Sequence, residues 1–360
     1  MSQLPFRHFI LLSGALLLAG VGATLAMEIN QYHNFERFSN QYGSISTIAG
    51  TGEDRQKYLN NWHSEFEGKP AIQVELSRPH HAIADYQGNV IIADKDAHGI
   101  RRIDEQGQIT TLAGTNQCAD GGDQPAPAQQ VALCFPNGIW VQRSGAVDIL
   151  DTGNNKVRRV LPNGQISTLF HDPSGIETGR GLWVSSDATL AYYASGSELK
   201  RWTPEAGVEV IASGFKELAN LALNDKNQLY VTDRNGHKVY RVDAKGNKTA
   251  VAGNGKIRGG GHGYPALETG LNEVRGIWFH PNGGYFLATH KGGQIWFVDP
   301  SGIIHLFIDG GRDHQHSGDG LPFNAVGEKI SEPRAISLDH LGNLYITEND
   351  YGYIRKVSPR

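Results

Sequence analysis

The chain of 360 residues is long enough to bury a large core, as one big domain or two ordinary ones. Its formal net charge of −4 and the lack of any basic block argue against binding to nucleic acid through phosphate neutralisation. The 45 glycines and only 2 methionines are typical of short strands joined by many tight turns.

The first 26 residues have the pattern of an export leader. A weakly positive start, MSQLPFRH, precedes the apolar run FILLSGALLLAGVGATLA, which ends in small residues. This layout predicts a secretory signal peptide with cleavage after Ala23 or Ala26. The run nearly reaches membrane-spanning length, so an uncleaved N-terminal anchor remains the alternative. Both alternatives predict an exported protein, periplasmic or secreted, in which residues 27–42 form a linker and only an uncleaved leader contacts the membrane.

From residue 43 onward the chain is a repeat. Its six copies span residues 78–115, 135–170, 179–213, 218–255, 274–309 and 332–360. Each copy contains a first apolar strand such as GIWV, a second such as QLYVTD, a third that alternates apolar and basic residues such as KVRRVL, and a fourth such as ITTLAG. Period-two alternation between turn residues predicts antiparallel strands, and four-stranded units at this period predict propeller blades.

One strand stands apart from its copy. The sequence GSISTIAGTG at 43–52 reads as a fourth strand with no blade before it, whereas the sixth copy ends at VSPR without a fourth strand. We therefore predict that this N-terminal strand pairs with YIRKV of the last copy and closes the ring, which satisfies both edges.

The repeat resembles the NHL-repeat family over nearly all of residues 43–360. The resemblance rests on the frame P-x-G-I … G-N-L-Y-V-A-D … I-R-K-V-D … G-x-I-x-T-x-A-G. The third and fifth copies are more similar to the related gluconolactonase-like and strictosidine-synthase-like propellers. The resemblance implies an all-β, six-bladed β-propeller, in agreement with the number of copies, and so one domain over residues 43–360.

The two cysteines, Cys118 and Cys134, flank a segment rich in glycine and proline. In an exported protein such an isolated pair is expected to form a disulfide, and two free buried thiols are the alternative. A redox-active pair is disfavoured because the spacing is not C-x-x-C.

Aligning the first strands predicts a ring of charged side chains at the mouth of the central channel. The first aligned position gives His80, Asn137, Arg180, Ala219, Arg275 and Arg334, and the next gives His81, Gly138, Gly181, Asn220, Gly276 and Ala335. Three arginines around one opening repel each other unless something neutralises them. Acidic residues at the ends of second strands (Asp94, Asp151, Asp233 and Glu348) would make an internal salt-bridge ring, whereas a bound carboxylate or phosphate would make a ligand site.

The loops between blades are unequal in length. Those at 51–78, 115–135, 254–273 and 310–332 are long, and those at 171–178 and 214–217 are short. Long loops on a rigid scaffold often carry binding sites, so they are expected to wall the face at the mouth. Their shared pieces (GKPAIQVEL, GGDQPAPA, GGHGYPAL and GDGLPFNA) are similar to inserts of bacterial NHL proteins. The other interpretation is that these pieces only pack over the blades.

One loop and the first-strand positions contain residues that could bind a metal ion or act in an enzyme. The loop DGGRDHQHSGDG brings Asp313, His314, His316 and Asp319 together, a set that could hold a divalent cation such as Ca²⁺ or Zn²⁺, or simply form Asx turns. The gluconolactonase-like resemblance implies a channel metal bound by Glu, Asn and Asp, but only Asn137 matches. The related peptidylglycine amidating lyase implies zinc-binding histidines, and His80, His81, Arg275 and Arg334 provide part of that set.

The sequence thus favours a monomeric binding module. Its channel mouth (His80, His81, Asn137, Arg180, Asn220, Arg275 and Arg334) and loop-walled face would bind a protein, a peptide or a small anion, and no cofactor is assigned. The alternative is a hydrolase or lyase that uses the same mouth, lactonase-like or amidating-lyase-like. Because carboxylate metal ligands are missing from the ring, the binding module is preferred.

Overall fold

The computed structural model describes residues 34–54, 56–311 and 313–360. The predicted leader, residues 1–26, lies outside the described residues, and so do residues 27–33 of the predicted linker. Residues 34–39 are helical and belong to a small unit that ends at Tyr42, whereas Gly43–Arg360 form one large compact unit. Within the described ranges no helix is long and apolar enough to span a bilayer.

The large unit is a six-bladed β-propeller, as predicted, and every blade is an antiparallel sheet. Within blades 1 to 5 the first four strands follow one another in chain order. The first strands of blades 1 to 6 are Pro79–Ala84, Pro136–Val141, Leu182–Val184, Leu218–Leu223, Val274–Phe279 and Pro333–Leu338. The second strands are Val90–Asp94, Val147–Asp151, Ala191–Ser195, Leu229–Asp233, Tyr285–Thr289 and Leu344–Glu348. The third strands are Gly99–Ile103, Lys156–Val160, Glu198–Thr203, Lys238–Val242, Gln294–Val298 and Tyr353–Pro359. The fourth strands are Gln108–Ala113, Gln165–His171, Gly207–Ala212, Lys248–Ala252, Ile303–Asp309 and, for blade 6, Tyr42–Ala49.

The ring closes as the sequence predicts. The strand Tyr42–Ala49 is hydrogen-bonded to Tyr353–Pro359, so the last blade combines strands from both ends of the described chain. Each first strand packs against the first strands of the neighbouring blades, and blade 6 meets blade 1 in the same way. Apolar side chains from adjacent blades form the core between them, including Ile92, Leu76 and Ile354 between blades 6 and 1. Closure therefore leaves no inter-blade core exposed.

The long loops cover the outer edges of blades. Short strands at Lys69–Pro70, Ala126–Pro127 and Tyr264–Pro265 each add a fifth strand to the blade that follows them, and Pro322 bridges Ser44 of the closing strand. Short 3₁₀ helices lie in these loops and after the second strands, at Ser64–Phe66, Ala71–Gln73, Lys95–Ala97, Ala128–Gln130, Thr152–Asn154, Ala266–Glu268 and Asn349–Tyr351. The shared loop pieces therefore do pack over the blades, where they cover edge strands that could otherwise pair with another chain.

Each Pro-Ala pair in these loops joins two blades. Ala128 donates its N–H to the carbonyl of Gly164 in blade 2, at 2.9 Å, and its carbonyl accepts from Gly114 at the end of blade 1, at 3.0 Å. Ala71 and Ala266 repeat both hydrogen bonds in their own loops. In blades 1, 4 and 6, the glycine of the A-G dipeptide at the end of the fourth strand therefore donates a hydrogen bond to the loop that leads into the next blade.

Gly114 cannot be replaced by alanine without strain. Its φ is +100°, and a Cβ would lie 2.5 Å from the carbonyl oxygen of His98. We expect Gly114→Ala to lower the free energy of unfolding by about 2 kcal/mol or more, measured by urea denaturation. Gly107→Ala is the matched control, because Gly107 also has a positive φ but open space around it, and should cost about 1 kcal/mol. Equal losses in the two variants would contradict the clash.

Candidate functional site

A bulge in the first strand presents the residues of the channel mouth. In blades 1, 2, 5 and 6 the register with the second strand shifts by one residue, and the extra residues are His80, Asn137, Arg275 and Arg334. β-Bulges commonly re-aim a side chain next to a functional site. The following glycines let neighbouring strands approach closely, since a Cβ on Gly138 would lie 2.0 Å from a blade 3 carbonyl oxygen. The backbone thus brings charged side chains from different blades together.

His80 connects three blades and is only 2% exposed. Its Nδ1 is hydrogen-bonded to the side-chain oxygen of Asn137 and lies 3.2 Å from Nε of Arg180, while its Nε2 lies 3.5 Å from Nη1 of Arg334. Burial, together with the charges of Arg180 and Arg334, holds the pKa of His80 well below its usual value. A neutral imidazole has one acceptor nitrogen, so it can accept from only one of the two arginines. The contact with Asn137 assigns the proton to Nδ1 and leaves Arg334 as the donor to Nε2.

Arg334 and Arg275 have carboxylate partners. Nη2 of Arg334 lies 3.1 Å from Asp350, and Nη2 of Arg275 lies 2.5 Å from Glu273. Burial, followed by the charge of Arg275, lowers the pKa of Arg334 to about 9. The pKa of Glu273 lies well below its usual range because His290, whose Nδ1 lies 3.4 Å from the carboxylate, and the paired Arg275 both favour its ionised form. These two arginines therefore belong to compensated ion pairs.

Arg180 is not compensated in this way. It is 6% exposed, its Nη1 has no hydrogen-bond partner, and within the described part of the chain no carboxylate oxygen lies within 4.0 Å of it. Burial and the charges of Arg334 and Arg275 hold its pKa well below the usual value. A buried cation without a partner is costly, and guanidinium remains protonated in proteins. A bound anion would remove this cost.

Sequence analysis missed a second group of titratable side chains at the mouth. Nε2 of His290 lies 3.3 Å from Glu332 and 3.4 Å from Asp350, and these three could together hold a metal ion. Burial lowers the pKa of His290 to about 4. Burial and the neighbouring Asp350 raise the pKa of Glu332. The pKa of Asp350 is lowered instead, because hydrogen bonds from His290 and Glu332 and the charge of Arg334 outweigh the effect of burial. The guanidinium of Arg334 lies 3.2 Å from Nε2 of His290 and already provides positive charge there.

The acidic residues at the ends of second strands do not neutralise the mouth. Three of them pair with a third-strand arginine of their own blade: Asp94 with Arg101 at 3.2 Å, Asp151 with Arg158 at 2.7 Å and Glu348 with Arg355 at 2.8 Å. The fourth, Asp233, accepts hydrogen bonds from the backbone N–H groups of Lys216 and Glu217. These contacts engage the four carboxylates next to their own strands and not at the arginines of the first aligned position. Of the two alternatives left by the sequence, a salt-bridge ring built from these four acidic residues is not formed, and blades 1, 2 and 6 each contain one buried ion pair instead.

Two of the predicted mouth residues have other surroundings. The side-chain oxygen of Asn220 accepts a hydrogen bond from the N–H of Leu221, at 2.8 Å, so this residue supports its own strand. His81 is buried against Trp278, with 6.4 Å between ring centroids, and neither of its ring nitrogens has a partner. Burial lowers the pKa of His81 to about 4.

The four residues suggested as a metal site do not come together. Asp313 and His314 belong to none of the clusters of three ligating side chains found in the described ranges. His316 and Asp319 both contact the guanidinium of Arg355, at 3.1 and 2.8 Å, and His316 stacks on Tyr353. A cation between them would be repelled by Arg355, so this loop is part of the packing of blade 6.

The predicted disulfide between Cys118 and Cys134 is formed, and it closes the long loop before blade 2. Asp151 accepts a hydrogen bond from the N–H of Cys134 at 2.7 Å. The disulfide therefore fixes the loop next to the first strand that carries Asn137.

Comparison with known proteins shows the fold and leaves the ligand open. No protein-family model matches the chain, and no curated protein is significantly similar to it in sequence. Among solved structures, an auxiliary nutrient binding protein from Bacteroides thetaiotaomicron matches with a TM-score of 0.62 at 14% identity, over 88% of this chain and 77% of the other. The chain therefore has a six-bladed β-propeller fold that it shares with solved structures of low sequence identity. Virginiamycin B lyase from Staphylococcus aureus is similar as well, with a TM-score of 0.52 at 17% identity, over 79% of this chain and 96% of the other. A gluconolactonase from Xanthomonas campestris matches with a TM-score of 0.54 at 14% identity, over 79% of this chain and 87% of the other.

Proposed function

We propose that the protein is an exported, NHL-type propeller that binds a small anionic ligand, a carboxylate or a phosphate, at its channel mouth. The observation that carries the proposal is Arg180, a buried guanidinium that lacks a carboxylate partner in the described residues and is repelled by the charges of Arg334, Arg275 and Arg234. Export is supported by the disulfide between Cys118 and Cys134 and by the leader-like sequence of residues 1–26.

The charges at the mouth support an anion more than a peptide or protein partner. Each of Arg78, Arg234, Arg275 and Arg334 has its own carboxylate within 3.5 Å, so the positive charge that remains is concentrated on Arg180. Arg180 is nearly buried, and a large partner could not reach it without rearranging the mouth. A compact anion can accept hydrogen bonds from Arg180 and Arg334 at once, and arginine suits such planar recognition.

Arg180→Met separates a ligand site from a structural one. Because the charge is unpaired and buried, we expect this variant to unfold at the same temperature as the wild type or a higher one in ligand-free buffer. The affinity for the anion that binds should fall by about tenfold to a hundredfold, since hydrogen bonds to charged groups contribute about 1.5–3 kcal/mol. Isothermal titration calorimetry with phosphate, sulfate, succinate and citrate would measure this loss.

Arg201→Met is the matched control, because Arg201 is half-exposed on the outer part of blade 3 and paired with Glu209. It should bind the same anion as the wild type does. A folded wild-type protein that binds none of the four anions would contradict the proposal, as would an Arg180→Met variant that is strongly destabilised and still binds.

The second candidate is a metal-dependent hydrolase or lyase, and the cluster of His290, Glu332 and Asp350 favours it. These side chains offer one nitrogen and two carboxylate ligands beside the arginines. For a metal to bind there, Arg334 would have to move away, because its guanidinium now contacts His290 and Asp350. Elemental analysis of the purified protein and a panel of lactones and esters test this candidate. A stoichiometric metal, with turnover that Arg275→Ala abolishes, would favour the enzyme.

A further inference from the structure

The opposite end of the channel carries a cluster of indoles. Trp140, Trp183 and Trp278 occupy equivalent positions of three first strands, three residues beyond the mouth position. At about 3.3 Å per residue this places them about 10 Å from the mouth along the channel, at the ends of the first strands. All three are half-buried. We call these three residues the tryptophan platform.

The platform is a continuous aromatic surface. The ring centroids of Trp140 and Trp278 are 5.8 Å apart, and those of Trp140 and Trp183 are 6.5 Å apart, with tilts of 33° and 52°. Trp140 therefore contacts both other indoles and joins them into one aromatic cluster. A cage for an organic cation instead needs rings that stand apart around a gap.

The platform lines an open cavity of about 450 Å³. Ile83, Val184 and Leu338 extend the apolar wall, while Gln142, Arg143, Ser186 and His340 lie around it. This volume suits one or two sugar-sized rings, within the usual range of ligand pockets. Because the indoles are only half-buried, a ligand lying on them would keep its outer side in water.

The acidic groups beside the cavity are already engaged. Asp85 accepts hydrogen bonds from Gln87 and Asn89, and Asp339 accepts them from Leu341, Asn343 and Tyr345. The charge of Arg143 lies over the ring of Tyr86 at 5.0 Å. The carboxylates of Asp85 and Asp339 are hydrogen-bonded within turns, and Arg143 adds a positive charge at the edge of the cavity. The cavity therefore offers little attraction to a positively charged ligand.

A polar group also lies next to the platform. His81 packs edge-on against Trp278, and both of its buried ring nitrogens lack a hydrogen-bond partner. A neutral imidazole carries one donor and one acceptor that point in different directions, so each nitrogen needs a partner of its own, such as a hydroxyl group or a water molecule. A buried unpartnered polar side chain beside an aromatic surface indicates a ligand or ordered water.

From these features we infer that the cavity is a carbohydrate-binding site, in which the apolar face of a pyranose ring stacks on the tryptophan platform. A pyranose has a flat C–H face for the indoles, and its hydroxyl edge would meet Gln142, Ser186 and Arg143. The outward side of the sugar stays hydrated, as the openness of the cavity requires. This site is independent of the anion site at the mouth.

The test uses the full chain and neutral oligosaccharides. A glycan array is screened first, and cellohexaose, maltohexaose and xylohexaose are then titrated by calorimetry and by tryptophan fluorescence. We expect at least one sugar to bind with a stoichiometry of one and to change the fluorescence. Trp140→Ala should weaken that binding at least tenfold, since buried tryptophans commonly dominate binding energy. Trp140→Phe, which keeps a ring at the centre of the platform, should bind with intermediate affinity.

Two controls make the result specific. Trp202→Phe changes an indole of blade 3 that stacks on Phe170 of blade 2 and does not line the cavity, so this variant should bind sugar as the wild type does. Arg180→Met should bind sugar normally, and Trp140→Ala should bind the mouth anion normally, so failure of one site leaves the other testable. The proposal is overturned if no glycan binds on the array or in solution, if Trp140→Ala binds like the wild type, or if indole binds at the platform and sugars do not.

Discussion

Deleting residues 43–50 is expected to lower the melting temperature by more than about 10 °C or to abolish folding. The deletion removes most of the strand Tyr42–Ala49, so the third strand of blade 6 becomes an open edge. Ile45 and Ala49 are fully buried, and Ala49 belongs to the core between blades 6 and 1. Burying one isoleucine contributes about 1.5–3 kcal/mol, and the backbone pairing is lost in addition. For a chain of this size, each kcal/mol lost from the free energy of unfolding lowers the melting temperature by about 2 °C. The combined loss of burial and backbone pairing should therefore give a large shift in melting temperature, which calorimetry or circular dichroism would measure.

The closing strand can be added back as a peptide. A synthetic peptide of residues 41–51 should raise the melting temperature of the deletion variant, because it can occupy the open edge by strand addition. A scrambled peptide of the same composition is the control and should have no effect. Ser44→Lys, on the exposed side of the strand, should leave the melting temperature of the full chain nearly unchanged. If the deletion variant melts like the wild type, the ring does not depend on this strand.

The sequence was sufficient to predict the architecture because the propeller repeats itself. Six copies of one four-stranded pattern define the number of blades, and the unmatched fourth strand at 43–52 defines how the ring closes. Where the long loops run could not be predicted, since a Pro-Ala pair in a loop does not show which edge it will meet. The structure shows that pair linking consecutive blades, as at Ala128.

The site was predicted in part. Alignment of the copies brought Arg180, Arg275 and Arg334 to one position, and the structure places them within electrostatic reach of one another. Alignment could not show where carboxylates point. Asp94 turns to Arg101 in its own blade, whereas Glu273 and Glu332, the last residues of two loops, reach the mouth. His290 was missed because it directly follows a second strand, whereas the alignment compared only positions of the first strands.

The second large effect is expected at the buried ion pair of blade 6. Glu348 and Arg355 have fully buried side chains, with Oε1 and Nη1 2.8 Å apart. Removing Arg355 leaves the buried carboxylate of Glu348 without its cationic partner, with hydrogen bonds from Ser331 still in place. Arg355→Met should therefore lower the free energy of unfolding by about 3–5 kcal/mol in urea denaturation at neutral pH. Arg201→Met is the control: its pair with Glu209 is 37% and 43% exposed, and the loss should stay below about 1 kcal/mol.

The dependence of this effect on pH identifies its cause. In the wild type, burial acts to raise the pKa of Glu348, but hydrogen bonding to His316 and the charge of Arg355 outweigh it, and the net pKa lies below the usual value. This group therefore stabilises the wild type above the pKa of an unfolded glutamate, and that contribution is lost as the pH falls. Without Arg355 the pKa of the buried carboxylate is higher than in the wild type, because one of the charges that lowers it is gone, and protonation at lower pH removes the cost of the unpaired charge. The difference between wild type and Arg355→Met should therefore shrink as the pH falls from 7 to 4, and Arg355→Met/Glu348→Leu should recover part of the loss at pH 7. A difference that is constant with pH would mean that lost packing of the long arginine side chain, and not the unpaired charge, destabilises the variant.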